Sequence, residues 1–191
     1  MQNRSNVVSC LISMQFDPNA RAPQPSSEVS RISTILQRLN QNMQRDDLVQ
    51  KTTDQLRNLL QVDRVVLYYF YKQWNGQVTF ESLSDPQYSI YGSSGPDECF
   101  VDAYAEMYLA GRVRAIENIE TAEIHDCHRD FLRDLQVQAN LVVPILTSKR
   151  LWGLLVAHHC DSPRSWLDTD IHQMQTAAKT LAAADSIRQE R

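Results

Sequence analysis

The sequence predicts an α+β fold: an antiparallel sheet flanked by helices, with the N- and C-terminal helices forming a bundle. Apolar residues recur at helical spacing near both ends of the chain, and two pairs of strand-like segments lie between them. This order favours helices packed on an antiparallel sheet over alternating parallel units. The 191 residues suffice for one domain. We expect residues 1–27 to be an extension or linker and residues 28–191 to form the domain.

Two helices are predicted before the first strand. Ser27 suits an N-cap, and the apolar residues after it fall on one helical stripe. Asp46 and Asp47 suit the first turn of a second helix, where acidic side chains face the positive end of the helix dipole. The first stripe consists of Val29, Ile32, Ile35, Leu36, Leu39 and Met43.

A β-hairpin is predicted over residues 63–83, "DRVVLYYFYKQWNGQVTFESL". β-Branched and aromatic residues flank Asn75-Gly76, a pair that tolerates the positive φ angles of a type I′ turn. A long loop from about residue 83 to 96 follows, and then a short helix over residues 100–110 that ends at Gly111.

A strand, a helix and a second hairpin are predicted next. The segment "VRAIENI" has strand character, and "HDCHRDFLRDL" has helical character with Asp126 near its start. The segments "QANLVVPIL" and "LWGLLVAHH" are predicted to be two buried strands joined by "TSKR". A final helix begins near Asp168 and carries a coiled-coil-like series of apolar residues: Ile171, Met174, Ala178 and Leu181.

Composition and motifs exclude several classes of function. The net charge of −4, without any run rich in Lys or Arg, gives no reason to expect nucleic acid as a partner. No apolar run approaches the roughly 20 residues that cross a bilayer, and the N-terminus does not have the pattern of a signal peptide. We find no Walker loop, GxGxxG, HExxH or GxSxG motif, which excludes the common enzyme classes. We therefore expect a cytoplasmic protein outside these enzyme classes.

The cysteines raise the question of a reactive or metal-binding site. They show no CxxC pairing, which favours free thiols, and their spacing matches no common zinc framework, so we expect no metal. A catalytic pair of Cys127 and His128 is disfavoured because neighbours in a helix point about 100° apart. A thiol enzyme with His158 or His159 as its base stays as a weaker alternative. The four cysteines are Cys10, Cys99, Cys127 and Cys160.

Four ordered motifs from about residue 27 onward resemble the GAF domain of cyanobacteriochromes, bilin-binding photoreceptors related to phytochromes. They are "DECF" at residues 97–100, "GRVRAIENI", "HDCHRDFLRDLQVQANLVVPI" and "LWGLLVAHHCDSPRSW". The first is similar to the DXCF motif of one cyanobacteriochrome subgroup. Cys99 precedes Cys127 by 28 positions (127 − 99), the separation expected for that subgroup.

The resemblance implies a photoreceptor domain that binds a linear tetrapyrrole covalently, either phycocyanobilin or its isomer phycoviolobilin. Cys127 would form the permanent thioether to ring A, and His128 would pack against the bilin. Asp97 would accept hydrogen bonds from pyrrole N–H groups. Cys99 would add reversibly to the central methine bridge, which divides the conjugated system and moves absorption to the blue or violet. Photoswitching would couple this addition to 15Z/15E isomerisation.

The same resemblance assigns further residues and partners. His158 would lie near ring D, and Arg112 and Arg114 would pair with the bilin propionates, because guanidinium groups match carboxylates. Tyr108 is a candidate for the pocket wall, with core packing as an equal or better explanation. An output domain in the parent protein and a homodimer through the terminal helices are also implied. A GAF domain for a nucleotide or another small ligand, and a dimerisation module without chromophore, stay as alternatives.

Overall fold

A five-stranded antiparallel sheet organises the chain. Its strands are β1 (Arg64–Lys72), β2 (Asn75–Leu83), β3 (Arg114–Ile116), β4 (Ala139–Leu146) and β5 (Leu151–His159), in the order β2-β1-β5-β4-β3. All four neighbouring pairs are antiparallel, which confirms the predicted α+β class. This computed structural model describes residues 27–72, 75–94, 102–148 and 150–188, and of residues 27–29 and 102–105 it describes the backbone alone.

Helices before, between and after the strands complete the described part of the chain. They are α1 (Ser27–Leu60), α2 (Asp102–Leu109), α3 (Asp126–Asp134), α4 (Asp168–Ala183) and α5 (Asp185–Arg188). The chain divides into two units, Met1–Gln37 and Arg38–Arg191. The described residues of the first unit are helical, and the second unit holds the remaining elements. None of the described helices combines the length and apolarity needed to cross a membrane.

One face of the sheet, which we call the helix face, forms the main apolar core with α1, α4 and α5. Both terminal helices contribute side chains to this one cluster, as the predicted bundle requires. The apolar series of α4 faces the sheet, because Met174 and Leu181 are fully buried there. The cluster includes Val65, Leu67, Leu141, Val143, Leu155 and Ala157 of the sheet, Val49, Leu56 and Leu60 of α1, and Met174, Ala178 and Leu181 of α4.

The first two predicted helices are one continuous helix, so the prediction of a break before Asp46 was wrong. Helix α1 runs for 34 residues through this region. The acidic residues are accommodated inside it by ion pairs: Asp46 with Arg45 at 2.9 Å, and Asp47 with Lys51 at 2.6 Å. The second pair has the i,i+4 spacing that stabilises a helix interior, so these carboxylates do not need a helix N-terminus.

The prediction that Asn75-Gly76 forms a turn was also wrong. Both residues are the first of β2, where Asn75 pairs with Lys72 and Gly76 with Phe70. A Cβ atom on Gly76 would lie 2.3 Å from the backbone oxygen of Tyr69. Glycine is therefore required here by close approach of two strands, a role that the sequence alone does not distinguish from a turn. The predicted helix end at Gly111 is confirmed by its φ of +88°.

The segment after β5 fastens α4 to the edge of the sheet. The indole Nε1 of Trp166 donates to the carbonyl oxygen of Ile116 at 3.1 Å, and the Arg164 guanidinium lies over the indole ring at 5.0 Å. Arg164 also pairs with Asp170 in the first turn of α4 at 3.2 Å. The Pro-Arg-x-Trp motif thus has a structural role in positioning α4.

Candidate functional site

A cavity lies on the other face of the sheet, which we call the cavity face. Side chains alternate along a strand, so Val66, Leu154 and Val156 point away from the helix face that Val65 and Leu155 occupy. Most of the wall is apolar, with a few polar groups among it. The lining residues are Val66, Tyr68, Val78, Ile90, Ser93, Ser94, Tyr108, Arg114, His128, Phe131, Leu132, Leu135, Asn140, Val142, Leu154, Val156 and His158.

Helix α3 borders the cavity, and its start is fixed by a side chain that the sequence did not single out. His125 is the N-cap, and its Nδ1 accepts a hydrogen bond from the backbone N–H of Cys127 at 3.3 Å. The predicted Asp126 is the first helical residue. The Arg129 guanidinium donates to the carbonyl oxygens of Ala122 (3.3 Å) and Ile124 (3.4 Å), which fixes the loop that leads into α3. These contacts set the position of residues 127 and 128 beside the cavity.

Cys127 is half-buried in the first turn of α3. Its sulfur is disulfide-bonded in the structure, which corrects the expectation of free thiols for this residue. Cys160 is free and buried, and burial, the main cause, raises the pKa of its thiol to about 11. A thiol with such a pKa is almost fully protonated at neutral pH and is unreactive. Of the two described cysteines, Cys127 is the one placed near the cavity wall.

Two histidines present neutral rings to the cavity. His128 is half-buried and its ring stacks with that of Phe131, at 6.4 Å between centroids and 25° between planes. Burial, followed by the charge of Arg114, lowers the pKa of His128. His158 is buried on β5, and burial, followed by the charge of Arg64, holds its pKa well below the ordinary value. Both imidazoles are therefore uncharged at neutral pH.

Arg64 and Asn140 belong to the site, although the sequence did not point to them. Arg64 lies in β1 with 1% of its surface exposed, and its Nε donates to His158 Nδ1 at 2.9 Å. Its other nitrogens donate to the carbonyl oxygens of Leu135, at 3.0 Å, and Tyr88. Asn140 is buried in β4, and its side-chain oxygen Oδ1 has no hydrogen-bond partner among the residues that the structure describes. A strand arginine and a strand asparagine carry no local sequence signal that marks them as cavity residues.

The remaining predicted residues differ in their relation to the cavity. Arg114 lines it, and its Nη2 donates to the carbonyl oxygen of Glu123 at 3.3 Å. Tyr108 of α2 also lines it and is 7% exposed, so it serves as cavity wall and core residue together. Arg112 is not among the lining residues, and its Nη1 donates to Met107 Sδ at 2.8 Å.

Comparison with known families decides the class of protein. The family model described as "GAF domain" matches residues 44–184, which is most of the chain. The chain belongs to the GAF domain family.

This GAF domain has curated relatives in cyanobacteria. An uncharacterised protein of Picosynechococcus sp. is 48% identical over 151 residues, which cover 79% of this chain and 93% of the relative. The circadian input-output histidine kinase CikA of Synechocystis sp. is 29% identical over an alignment that covers 90% of this chain and 27% of the kinase. The chain thus spans nearly all of the first relative and about a quarter of the second.

Solved structures with the same GAF fold include bilin-binding photoreceptors. The blue-light absorbing form of the Thermosynechococcus elongatus PixJ GAF domain superposes with a TM-score of 0.72 at 33% identity, over 78% of this chain and 88% of that chain. The phycocyanobilin-bound GAF domain of a cyanobacterial phytochrome superposes with a TM-score of 0.69 at 28% identity, over 83% of this chain and 93% of that chain. These neighbours are sensor domains of cyanobacterial photoreceptors.

Within the GAF domain, the structure brings together most of the described residues that the sequence predicted. Tyr108, Arg114, His128 and His158 line one cavity, and Cys127 precedes His128 in α3. Asp97 and Cys99 lie outside the described residues. So does the predicted linker over residues 1–27, except for Ser27, which begins α1. Among the residues that the structure describes, no three histidine, cysteine or acidic side chains form a group that could hold a metal ion.

Proposed function

We propose that this GAF domain is a light sensor that holds a linear tetrapyrrole covalently at Cys127. The observation that carries the proposal is the convergence of His128, His158, Arg114 and Tyr108 on one cavity beside this cysteine. We further propose phycocyanobilin or phycoviolobilin as the chromophore and membership in the DXCF subgroup. When bound, the bilin would supply visible absorption and 15Z/15E isomerisation.

The chemistry of the wall suits a bilin. Apolar residues of four strands would face the flat tetrapyrrole, while neutral imidazoles offer hydrogen bonds without charge repulsion against a cationic chromophore. Arg114 supplies a guanidinium that matches a propionate. The cavity has a volume of about 120 Å³ and is partly open to solvent. Sites that bury a whole drug-sized ligand have roughly 300–1,000 Å³, so the tetrapyrrole extends through the mouth or moves the walls apart.

Attachment at Cys127 needs the reduced thiol. The sulfur adds across the side-chain double bond of ring A: a sulfur–carbon bond forms, and the thiol proton is balanced by one taken up at the neighbouring carbon. No oxidant or second substrate is consumed, so the chain acts once on its own ligand and has no turnover. The first turn of α3 favours the attacking thiolate through the positive end of its dipole.

The first test is the Cys127→Ala variant, co-produced with phycocyanobilin under reducing conditions. We expect the denatured wild-type chain to keep its colour and the denatured variant to lose it. Cys160→Ala is the matched control, since Cys160 is a buried cysteine that neither belongs to α3 nor lines the cavity, and its loss should leave attachment unchanged. A wild-type chain that never becomes coloured would instead favour a GAF domain for another small ligand or a dimerisation module.

The second test concerns Cys99 and Asp97, whose roles are proposed from the "DECF" motif. We expect Cys99→Ala to lose the blue- or violet-absorbing state and to keep a longer-wavelength state, while Cys127 still holds the bilin. Asp97→Asn should alter bilin protonation or the photoproduct and preserve attachment. A Cys99→Ala chain with both absorption states unchanged would remove the second-cysteine addition and the subgroup assignment.

Dimerisation and connection to an output domain are proposed for α1. Four of its exposed apolar residues follow steps of four, three and four residues, the spacing of a coiled-coil seam. The apolar residues of α4 are used in the core, so the partner surface lies on α1. The exposed residues are Ile32, Leu36, Leu39 and Met43. Sedimentation of Leu36→Glu should show a monomer where the wild type is a dimer, and a wild-type monomer would contradict this part of the proposal.

A further inference from the structure

Two arginines of α3 use their guanidinium groups in different ways. Arg133 pairs with carboxylates: its Nε donates to Glu120 Oε1 at 2.9 Å, and its Nη1 donates to Asp130 Oδ1 at 2.9 Å. Its side chain is 48% exposed, as is usual for a surface ion pair. Arg129 lies one turn earlier, and its side chain is 16% exposed. Its guanidinium donates to backbone carbonyl oxygens instead.

The loop that leads into α3 is wrapped around the Arg129 guanidinium. A planar fork with several N–H groups can bridge carbonyls of successive residues at once, whereas the compact ammonium group of a lysine cannot reach so many. Hydrogen bonds from a charged donor are also stronger than those between neutral groups. The acceptors are the carbonyl oxygens of Ile119, Glu120 (3.3 Å), Ala122 (3.3 and 3.4 Å) and Ile124 (3.4 Å).

The charge of Arg129 is not placed to stabilise the helix. Arg129 lies in the first turn of α3, at the end whose partial charge is positive, where a cation is disfavoured. Its Nε is 4.0 Å from Asp126 Oδ1, and Asp126 has a side chain that is 93% exposed, so this ion pair contributes little. The loop carbonyls, which need donors, account for the position of the guanidinium.

The same loop ends at the residue that caps α3. His125 Nδ1 accepts the hydrogen bond from the backbone N–H of Cys127 at 3.3 Å, and the carbonyl oxygen of Ile124, just before the cap, is held by Arg129. The backbone N–H of Arg129 donates to the carbonyl oxygen of His125 at 3.0 Å. Arg129 therefore holds the cap from both sides, and a shift of the loop would move the turn that carries Cys127.

We propose that Arg129 is a positioning residue for covalent attachment, which acts through the loop and the His125 cap to hold the Cys127 sulfur where it meets ring A. This inference rests on the proposed function, since attachment at Cys127 is itself proposed. A misplacement of about 1 Å can slow a reaction on the order of 100-fold. Arg129 does not line the cavity, so its loss should slow the covalent step and leave reversible uptake of the bilin unchanged.

A purely electrostatic role of Arg129 leads to a different expectation. A cation near a cysteine favours the thiolate, and lysine would preserve that effect. Positioning needs the planar fork, which Arg129→Lys and Arg129→Gln both lose. The two variants therefore separate the roles: both are slow if Arg129 positions the thiol, and Arg129→Gln alone is slow if Arg129 acts by its charge.

The test mixes phycocyanobilin with the full chain, produced without bilin and kept reduced, in the wild type and both variants. Absorbance on mixing measures reversible uptake, and colour retained after denaturation measures the covalent step. We expect the covalent rate at saturating bilin to fall roughly 10- to 100-fold in both variants, with half-saturation within about twofold of the wild type. Arg133→Lys is the matched control, since it keeps a cation beside Glu120 on the same helix and should attach bilin at the wild-type rate.

A second measurement is made without bilin. Hydrogen exchange at the amides of Cys127 and His128 should be faster in Arg129→Lys than in the wild type, because the cap opens more often. Arg133→Lys should leave this exchange unchanged.

Three outcomes would overturn the inference. Attachment by Arg129→Lys at the wild-type rate would show that charge suffices, and unchanged exchange at Cys127 would show that the cap does not depend on Arg129. Equal slowing in Arg133→Lys would show a general loss of helix stability. Failure of the proposed function is distinct, because the denatured wild-type chain would then carry no bilin.

Discussion

The two faces of the sheet are built from the same strands but hold different kinds of side chain. On the helix face, Leu155 and Ala157 of β5 pack against apolar residues of α1 and α4, and all are fully or nearly fully buried. On the cavity face, Leu154, Val156 and His158 of the same strand border a cavity with buried polar groups. Because successive strand residues face opposite sides, one strand contributes to both environments.

The two faces of the sheet contribute differently to the stability of this domain. The helix face forms one continuous apolar cluster that holds the terminal helices to the sheet. The cavity face contains an unpaired oxygen on Asn140, which costs stability while it has no partner. It also contains histidines kept neutral by burial, which cost stability as the pH falls below about 6.5. The helix face therefore stabilises the fold, and the cavity face is the side at which we propose binding.

The largest expected effect is on the free energy of unfolding, and it is tested by substituting two neighbouring leucines of β5. Leu155→Ala on the helix face should lower the free energy of unfolding by roughly 2–5 kcal/mol, because it leaves a closed cavity in a packed core. Leu154→Ala on the cavity face should cost less, since the removed atoms border space that already exists. Urea unfolding of the protein without ligand measures both. Equal losses would contradict the distinction between the faces.

The next effect is a pH dependence that belongs to the cavity face. The folded-state pKa of His158 lies well below that of the unfolded chain, about 6.5, so as pH falls below that value the unfolded state binds a proton that the folded state does not. His128 acts in the same direction. Stability should fall with decreasing pH by up to about 1.4 kcal/mol per pH unit for His158.

Replacing His158 with phenylalanine should flatten this slope between about pH 6.5 and 5.5. Leu154→Ala removes no titrating group and should keep the wild-type slope. Urea midpoints measured at several pH values provide the comparison. A slope in His158→Phe as steep as in the wild type would show that the imidazole is protonated in the folded state as readily as in the unfolded one.

The smallest expected effect is an increase in the free energy of unfolding, opposite in sign to the effect of Leu155→Ala. Asn140→Leu replaces a buried unpaired amide with an apolar group beside a cavity that can accept the added volume. We expect the protein without ligand to become more stable by up to about 1 kcal/mol, because the cost of the unpaired oxygen is removed. Thermal or urea unfolding measures it. A clear loss of stability would indicate that Asn140 serves the fold and not the cavity.

Local sequence patterns were sufficient for the class of fold and for part of the site. Periodicity of two residues and of 3.6 residues predicted the strands and most helices. The resemblance to cyanobacteriochromes marked the Cys-His pair and the histidine of β5, which the structure places at or beside one cavity. The predictions were wrong where one residue pattern is compatible with two different structures. Acidic residues at 46 and 47 suit a helix start or an interior ion pair, and Gly76 suits a turn or a close strand contact.

What the sequence by itself determined is the alternation of side chains and the positions of the histidines and cysteines. What only the tertiary structure decided is which distant residues share the cavity. Arg64 and His158 are 94 positions apart in the chain and meet because β1 pairs with β5, while Asn140 meets His158 because β4 lies on its other side. The hydrogen bond between Arg64 and His158 and the unpaired oxygen of Asn140 follow from this pairing of strands. No local pattern encodes either property, because each is defined by a partner, or the lack of one, in three dimensions.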